Sequence, residues 1–314
     1  MFKHNLLISY RSFLRNKSSF LINILGLSTG LACALFIFLW VQDEMGIDAF
    51  HENGDHLYQV MQAQPRPDGV AVGDWTPGPL ADALVAELPE VKGAISVKYA
   101  ADVYDGIIQV GERYIKARPY YVEDTFFNLF SYPLSLGDKS TVLSDKQAIV
   151  ISEDLALKLF SSKEEAIGET VQWNKKIGEI VDFSADFTVT GVFDNKSQHS
   201  SDQFDILFNF EFLLEKSPGI SLWANDQAGT YVLLNEGADV ESLNEEITAL
   251  VGSKREAKHK FLLQKFESRY LYNNYENGVQ AGGKIESVWL FSIIAILILV
   301  IASINFMNLS TAKA

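Results

Sequence analysis

The sequence has 314 residues, of which 48% are hydrophobic, and its 40 acidic residues outnumber the 26 basic ones to give a net charge of −14. All of the acidic residues lie between Asp43 and Glu286, where 21 basic residues accompany them, so this segment has a net charge of −19. That acidity argues against nucleic acid as a partner and against electrostatic adhesion to anionic lipid. The single cysteine, Cys33, excludes an intramolecular disulfide.

Residues 1–19 are basic and place their apolar side chains on one helical face. Arg11, Arg15 and Lys17 belong to this segment, which contains no acidic residue. A basic amphipathic helix of this kind lies on the inner leaflet of a membrane. The alternative is a solvated basic flank that is helical only because a membrane span continues it. We interpret the three side chains as candidates for contact with the inner leaflet from the cytoplasm.

Two uncharged runs of 22 residues each, 20–41 and 288–309, dominate the hydropathy pattern. A helix of this length spans about 33 Å at about 1.5 Å per residue, which matches the hydrocarbon thickness of a bilayer. We therefore predict transmembrane helices at residues 20–41 and 288–309. The first run exceeds the roughly 7 to 15 apolar residues of a cleaved signal peptide, so we interpret it as an uncleaved anchor.

The charges that flank the first run indicate its orientation. The charged residues before residue 20 are all basic, whereas the first charged residues after residue 41 are the acidic Asp43, Glu44 and Asp48. The positive-inside rule then places the N-terminus in the cytoplasm. In a bacterium, residues 43–287 would then lie in the periplasm, and the folded domain would span 42–287. Residues 310–314 would begin a cytoplasmic loop. We therefore expect an inner-membrane protein with the lipid bilayer as a partner.

Between the two runs the sequence alternates strand and helix signals and contains no internal repeat. The expected strands lie at 56–62, 148–151, 187–193, 204–210, 230–234 and 261–266, with hairpins of 107–110 and 114–117 and of 170–173 and 176–183, the second about Asn174 and Lys175. Three helices are expected: one capped by Thr76 and stopped by Pro89, one capped by Ser152 after the strand at 148–151, and one at 240–251 between Asp239 and Gly252. An aromatic stretch at 120–132 is expected to form part of the core. The predicted fold class is α+β, with two transmembrane helices bracketing a large mixed α+β extracytoplasmic domain.

Small and polar residues recur within the predicted membrane helices. Gly26, Gly30 and Ala34 repeat every four residues in the first helix, a pattern that lets two membrane helices approach closely. Asn305 and Asn308 lie near the cytoplasmic end of the second helix, where they can bond to neighbouring helices. We predict that these five residues pack against other helices, in this chain or in another. The alternative is that the glycines and alanine only reflect the common composition of membrane helices.

No arrangement of residues in the sequence predicts catalysis or the binding of a cofactor or metal. Residues 278–284 match the first seven positions of a phosphate-binding loop, but Ile285 replaces the Ser or Thr that would bind magnesium. The histidines and acids at 51–56 have a spacing that fits no tetrahedral metal site. The segment between the spans has no cysteine and no Gly-x-Ser-x-Gly nucleophile. We therefore expect a protein that is not an enzyme and that has no cofactor.

Six stretches of the sequence, in order along the chain, resemble parts of the MacB/FtsX-like family of ABC-transporter permeases. They are 23–30 (NILGLSTG), similar to the first span of the family, 148–160 (AIVISEDLALKLF), 167–170 (IGET), 187–193 (FTVTGVF) and 231–234 (YVLL), similar to elements of its outer domain, and 301–313 (IASINFMNLSTAK), similar to the end of its second span. The resemblance covers nearly the whole chain.

The resemblance implies a permease subunit that dimerises and binds a cytoplasmic ABC ATPase. Hydrolysis of ATP by that partner would move the periplasmic domains, for export or for mechanotransmission. The resemblance also implies a porter-like part and an inserted distal part within 42–287, and a periplasmic or outer-membrane partner. Arg11, Arg15 and Lys17 then become candidates for facing the ATPase. Because family members carry at least four membrane helices, we expect the sequence to be a fragment of a permease.

Two other classes of protein share the expected topology. A two-span sensor or receptor with a periplasmic ligand-binding domain has the same layout of spans and would continue into a cytoplasmic signalling helix. A membrane-anchored periplasmic enzyme is disfavoured, because the sequence offers no nucleophile and no metal site.

Overall fold

The computed structural model describes residues 17–99, 106–177, 181–194, 199–256 and 258–311, without the side chains of residues 17–20, 176, 177, 181 and 308–311. The chain divides into two compact units, Met1–Gly46 with Gly282–Ala314, and Ile47–Ala281. We call the first the helical unit and the second the sheet unit. The helical unit contains both uncharged runs of the sequence, and the sheet unit contains most of the acidic segment between them.

Seven α-helices lie in the described residues. They are α1 (Lys17–Met45), α2 (Leu80–Glu87), α3 (Phe126–Leu129), α4 (Glu153–Leu159), α5 (Phe210–Lys216), α6 (Val240–Lys254) and α7 (Lys284–Thr311). Three short 3-10 helices span Glu164–Ala166, Pro218–Ser221 and Phe266–Ser268. The helical unit is thus formed by α1 and α7, and the other helices belong to the sheet unit.

The strands of the described residues all belong to the sheet unit. They are β1 (Leu57–Arg66), β2 (Gly69–Gly73), β3 (Thr76–Pro77), β4 (Val91–Tyr99), β5 (Gly106–Val110), β6 (Arg113–Ala117), β7 (Pro119–Val122), β8 (Leu134–Leu136), β9 (Ala148–Ser152), β10 (Thr170–Asn174), β11 (Lys176–Ile177), β12 (Val181–Asp182), β13 (Ala185–Phe193), β14 (Ile206–Asn209), β15 (Asp226–Leu234), β16 (Lys260–Lys265), β17 (Tyr275–Glu276) and β18 (Val279–Gln280).

One mixed sheet of 14 strands runs through the described part of the sheet unit, in the order β16-β1-β15-β4-β7-β14-β9-β13-β10-β5-β6, with β2, β3 and β8 paired to β1, β15 and β13. Neighbouring strands are antiparallel except for β14 with β7 and β13 with β9, which are parallel. The pairs β11 with β12 and β17 with β18 form two small separate sheets. The prediction of an α+β domain bracketed by two apolar helices is confirmed.

The large sheet buries apolar side chains on both of its faces. All five residues of β9 are buried, as expected for a strand with a parallel neighbour in the middle of a sheet. Ile149 and Ile151 enter one apolar cluster and Val150 enters another, because successive side chains of a strand point to opposite faces. Tyr231 and Val232 of β15 divide in the same way between two clusters. The core of the sheet unit therefore lies in layers on either side of the sheet.

Several local predictions are confirmed because short-range chemistry decides them. The hydroxyl of Ser152 accepts a hydrogen bond of 3.2 Å from the backbone N–H of Leu155 and caps α4. The carboxylate of Asp239 caps α6 in the same manner. Gly111 adopts a φ of 56° in the turn between β5 and β6, where the predicted hairpin forms. The aromatic stretch beginning at Tyr120 is buried as predicted.

Two predicted helix ends are wrong. Thr76 does not cap α2, because Thr76 and Pro77 form β3 and the Thr76 hydroxyl lies 2.7 Å from the hydroxyl of Thr230 on β15. The helix begins only at Leu80. Gly252 does not end α6, which continues to Lys254. In both cases the prediction used only neighbouring residues, whereas the ends of the helices depend on pairing and packing with residues far away in the sequence.

Two predicted strands are also placed differently. The hairpin expected about Asn174 and Lys175 does not form, because β10 pairs with β5 and β13. The strand expected at 204–210 is shorter, since the side chain of Asn209 accepts a hydrogen bond of 2.7 Å from the N–H of Glu211 and starts α5. A capping residue inside an apolar run therefore turned part of the predicted strand into helix.

Candidate functional site

The helical unit pairs α1 with α7. Both helices are long and apolar enough to cross a membrane, over Leu21–Met45 and Lys284–Met307. Trp40 of α1 and Phe291 of α7 meet edge to face with their ring centroids 5.0 Å apart. Many of the other apolar side chains are uncovered, and Phe36 is 71% exposed. Such exposure suits helices that are surrounded by lipid or by further helices.

The small residues predicted to pack helices lie partly at the contact between α1 and α7. A Cβ atom on Gly30 would lie 2.8 Å from the Cβ of Ala302, and one on Gly26 would lie 3.2 Å from the Nδ2 of Asn305. Ala34 is buried. At positions 26 and 30 the absence of a side chain therefore permits the close approach of the two helices.

The remaining predicted residues of the helical unit fall outside what the structure describes. Arg11 and Arg15 lie outside the described residues, and for Lys17 and Asn308 the backbone alone is described. Contact of the three basic residues with the inner leaflet or an ATPase therefore stays a prediction, as does the role of Asn308 in packing.

The sheet unit contains a buried ionic cluster, the Arg269 cluster, formed by Asp48, Ser201, Asp202, Tyr231 and Arg269. The Nη2 group of Arg269 donates to the carboxylate of Asp202 at 2.6 Å and to the hydroxyl of Ser201 at 2.7 Å, and its Nη1 group donates to the hydroxyl of Tyr231 at 2.5 Å. Its Nε lies 3.8 Å from the carboxylate of Asp48. The side chains of Arg269 and Asp202 are only 10% and 12% exposed.

Electrostatics keeps the guanidinium of Arg269 charged. Burial is the largest single effect and disfavours the charge, but the interactions with Asp202, Tyr231, Tyr99 and Asp48 together outweigh it, so the pKa of Arg269 is raised above its ordinary value. The face of the guanidinium also lies 4.2 Å from the ring centroid of Phe266, a favourable cation–π geometry. A charged arginine at this position is therefore held by carboxylates, hydroxyls and an aromatic ring together.

Asp48 reaches the Arg269 cluster through an unusual backbone conformation. Its φ of 63° lies in the left-handed region, which aspartate tolerates better than most residues. Its N–H donates to the carbonyl of His199 at 2.7 Å, and its carboxylate accepts hydrogen bonds from the hydroxyl and, at 2.8 Å, from the N–H of Ser201. Burial raises the pKa of Asp48, although Arg269 and Ser201 act in the opposite direction. These contacts tie the turn after α1 to the loop at 199–202.

The Arg269 cluster continues into the sheet through two tyrosines. The hydroxyl of Tyr231, on β15, lies 3.1 Å from the hydroxyl of Tyr99 at the end of β4, and Tyr99 donates to Asp74 at 3.4 Å. Burial raises the pKa of Tyr231 well above its ordinary value, so its hydroxyl remains protonated. The polar network therefore extends from the chain segment after α1 to two neighbouring strands of the sheet.

His51 lies beside this network among aromatic side chains. Its Nδ1 accepts a hydrogen bond of 3.0 Å from the N–H of Ser131, and its Nε2 has no hydrogen-bond partner in the described residues. The rings of Phe130 and Phe266 meet it edge to face at 5.4 and 5.1 Å between centroids. Burial, with a smaller effect from Arg269, lowers the pKa of His51 to about 3. The histidine is therefore neutral at physiological pH.

An acidic cavity of about 330 Å³ lies elsewhere in the sheet unit. It is lined by Gly78, Pro79, Asp82, Glu123, Asp124, Asn209, Phe210, Glu211, Leu214 and Ser221. Burial raises the pKa of Glu123 to about 7, against the hydrogen bond that its carboxylate accepts from the N–H of Ser96 at 2.7 Å. Four carboxyl groups in one cavity disfavour an anionic occupant. Across the described ranges, no three His, Cys, Asp or Glu side chains are placed to hold a metal ion.

The residues of the Arg269 cluster were not predicted from the sequence. Asp48, Asp202 and Arg269 stand in separate parts of the chain, and each follows or precedes an ordinary polar stretch. The one local signal is the run of aromatic and apolar residues that follows Arg269, from Tyr270 to Tyr272. That signal alone does not identify the partners.

Comparison with known families identifies the sheet unit. The family model of the MacB-like periplasmic core domain matches residues 20–250, from within α1 to within α6. The chain therefore belongs to the family of MacB/FtsX-like ABC-transporter permeases that carry this domain. The family is a transporter permease component that normally works with a cytoplasmic ABC ATPase. Together with the two apolar helices, this membership indicates an inner-membrane protein.

One solved structure of low sequence identity shares the fold, and two others are less similar. A domain described as part of a permease protein from Porphyromonas gingivalis has 21% identity and a TM-score of 0.58, covering 69% of this chain and 92% of that one. The periplasmic region of MacB from Actinobacillus actinomycetemcomitans has 16% identity and a TM-score of 0.47, covering 70% and 90%. The extracellular domain of the noncanonic ABC-type transporter YknZ from Gram-positive bacteria has 14% identity and a TM-score of 0.46, covering 66% and 99%. A comparison with curated proteins gives no match.

Proposed function

We propose that this chain is part of the permease subunit of an ABC transporter of the MacB/FtsX type. In this function, ATP hydrolysis by a cytoplasmic partner ATPase moves the periplasmic domains, for export or for mechanotransmission. One observation carries the proposal: a MacB-like periplasmic core domain is bracketed by two helices that are long and apolar enough to cross a membrane. A domain held at both of its ends by membrane helices can receive a displacement from either helix.

The chemistry of the buried polar groups supports a mechanical role. The donors of Arg269 are directed at Asp202, Ser201 and Tyr231 of its own domain. The low pKa of His51 makes it a poor base, and its ring is enclosed by aromatic side chains. Groups used in this way stabilise a junction rather than activate a substrate.

The topology that accompanies this function is also a proposal. The excess of basic residues before the first span supports an N-terminus in the cytoplasm and a domain at 42–287 in the periplasm. Membership of the family supports a division of that domain into porter-like and distal parts. The uncovered apolar faces of α1 and α7 support further helix contacts, including those of a permease dimer. Arg11, Arg15 and Lys17 would face the inner leaflet or the ATPase. A periplasmic or outer-membrane protein would be the further partner.

Co-purification tests the proposed function. The full-length protein is co-expressed with the ATPase encoded beside its gene, and the tagged permease is isolated in detergent. We expect a stable complex that hydrolyses ATP, and loss of hydrolysis when the lysine of the phosphate-binding loop of the ATPase is substituted. Isolation of the protein with a histidine kinase or a response regulator, and without an ATPase, would instead identify a two-span sensor.

A further inference from the structure

Three separate chain segments of the sheet unit converge on the guanidinium of Arg269. Asp48 lies three residues after the end of α1, and Arg269 lies 15 residues before the start of α7. Ser201 and Asp202 belong to the loop between β13 and β14, and Tyr231 belongs to β15. The segments that lead from and to the two membrane helices are thus joined at this buried cluster, in addition to the pairing of β1 with β16.

The geometry of an arginine makes this junction stiff. A guanidinium is planar and directs its donors in a rigid fork, so its contacts cannot be adjusted one at a time. The Nη2 group holds the loop through Ser201 and Asp202, and the Nη1 group holds β15 through Tyr231. Asp48 is linked through the hydrogen bonds that its carboxylate accepts from Ser201, and its carboxylate lies 3.8 Å from Nε without a hydrogen bond to it. Separation of Arg269 from the loop would therefore leave the buried charges of Arg269 and Asp202 without each other, which is strongly unfavourable.

We propose that the Arg269 cluster is a clamp that makes the segment after α1, the segment before α7 and strand β15 move as one rigid body. A second contact between the same two segments is an ion pair of 2.8 Å between Lys265 and Asp55, but the Asp55 side chain is 81% exposed. Solvent weakens an exposed pair of this kind. Because β1 already pairs with β16 and with β15, the contribution of the buried cluster is to residues 48 and 269, which lie between these strands and the two helices.

The clamp has a consequence for coupling that rests on the proposed function. A displacement that enters through α1 or α7 reaches the hydrogen-bonded chain of Arg269, Tyr231 and Tyr99, and through it two neighbouring strands. Without the clamp, residues 48 and 269, which lie outside the paired strands β1 and β16, could be displaced before the sheet moved. The existence of the clamp does not depend on the partner ATPase, so the two proposals can fail separately.

Hydrogen exchange in the full-length protein, in lipid nanodiscs and without an ATPase, tests the clamp. The backbone N–H groups of Asp48, Arg269 and Tyr272 report on the two segments, because each donates to a carbonyl. In Asp202→Asn, which removes a charge and keeps the size of the side chain, we expect exchange at these amides to be about tenfold faster or more. Exchange within α6 should be unchanged. Arg269→Met provides a second variant if the first does not fold.

The control variant is Asp55→Asn, which removes the exposed ion pair between the same two segments. We expect exchange at the three reporting amides to change by less than about twofold in this control. Unchanged exchange at those amides in Asp202→Asn would overturn the proposal. Equal acceleration throughout the sheet unit, α6 included, would also overturn it, because the Arg269 cluster would then contribute only to global stability.

Discussion

The protonation state of His51 is determined by the buried, aromatic surroundings of its ring. Its Nδ1 accepts from the N–H of Ser131, so the proton of the neutral ring lies on Nε2, which faces aromatic side chains. A second proton would place a charge in an apolar site near the guanidinium of Arg269, and for this reason its pKa falls to about 3.

We predict that His51 makes the stability of the sheet unit depend on pH. Between pH 6.5 and about 3 the unfolded chain binds a proton at His51 that the folded chain does not, so the free energy of unfolding falls as the pH is lowered through this range. At pH 4 the loss is about 3 kcal/mol. In His51→Gln, which keeps a hydrogen-bond acceptor, this part of the pH dependence should disappear.

The measurement is urea unfolding of the two proteins, in the same detergent, between pH 7 and pH 4. Other titrating groups contribute to both proteins and cancel in the comparison. Parallel stability curves for the wild type and His51→Gln would contradict the assigned neutral state of the histidine.

Residues also differ in how far the sequence predicts them. The caps at Ser152 and Asp239 were predictable, because a capping side chain bonds to N–H groups two or three positions ahead. The ionic cluster was not predictable, because Asp48 and Arg269 lie 221 positions apart in the chain and no regular spacing relates them. The sequence contains the charged side chain of Arg269, but its partners come close to it only when the chain is folded.

At the scale of elements, α1 and α7 depend on small residues where they meet. A Cβ on Gly30 would lie only 2.8 Å from that of Ala302, so a side chain there requires the helices to separate or tilt. In a membrane the close approach of helices is itself the source of stability, since lipid competes equally for apolar surface.

We predict that Gly30→Leu weakens the pairing of α1 with α7 by about 1–3 kcal/mol, as expected for overpacking. The matched control is Leu31→Ile, which changes the shape of a neighbouring side chain that is 51% exposed. Unfolding of both variants is measured in mixed micelles with increasing SDS and followed by the circular-dichroism signal of the helices. Equal stability of the two variants would show that position 30 is not part of the contact.

In the sheet unit, the elements that depend on neighbouring residues were predicted correctly, and those that depend on pairing between distant strands were not. The alternating strand around Phe187 and the hairpin about Gly111 form as expected, because periodicity and turn chemistry specify them. Strand β4 was missed, since the glycine and lysines of Val91–Tyr99 obscure its pattern. The hairpin about Asn174 failed because β10 finds its partners in β5 and β13, and pairing between distant strands leaves no mark in a short window of sequence.

At the scale of the whole molecule, a large mixed sheet is bracketed by two apolar helices in a family of transporter permeases. The two apolar helices that bracket the domain were predictable from hydropathy, and the family was predictable from stretches of sequence in order. The orientation predicted from charge stays a prediction. The order of the strands was not predictable, because it is decided by pairings across the whole sheet unit. What the molecule is proposed to do follows from this arrangement: motion at the helices is passed to a domain outside the membrane.

The most direct test of that claim is the distance between two copies of the domain, measured by electron spin resonance in each nucleotide state. The exposed turn residue Glu112 is replaced (Glu112→Cys, with Cys33→Ser), and a membrane-impermeant spin label is added to intact spheroplasts before the complex with the ATPase is reconstituted. We predict that the label reaches residue 112 from outside and that the distance distribution shifts by several ångströms, on the order of other domain motions, when ATP and vanadate are added. Labelling only after lysis, or identical distributions with and without nucleotide, would contradict the account.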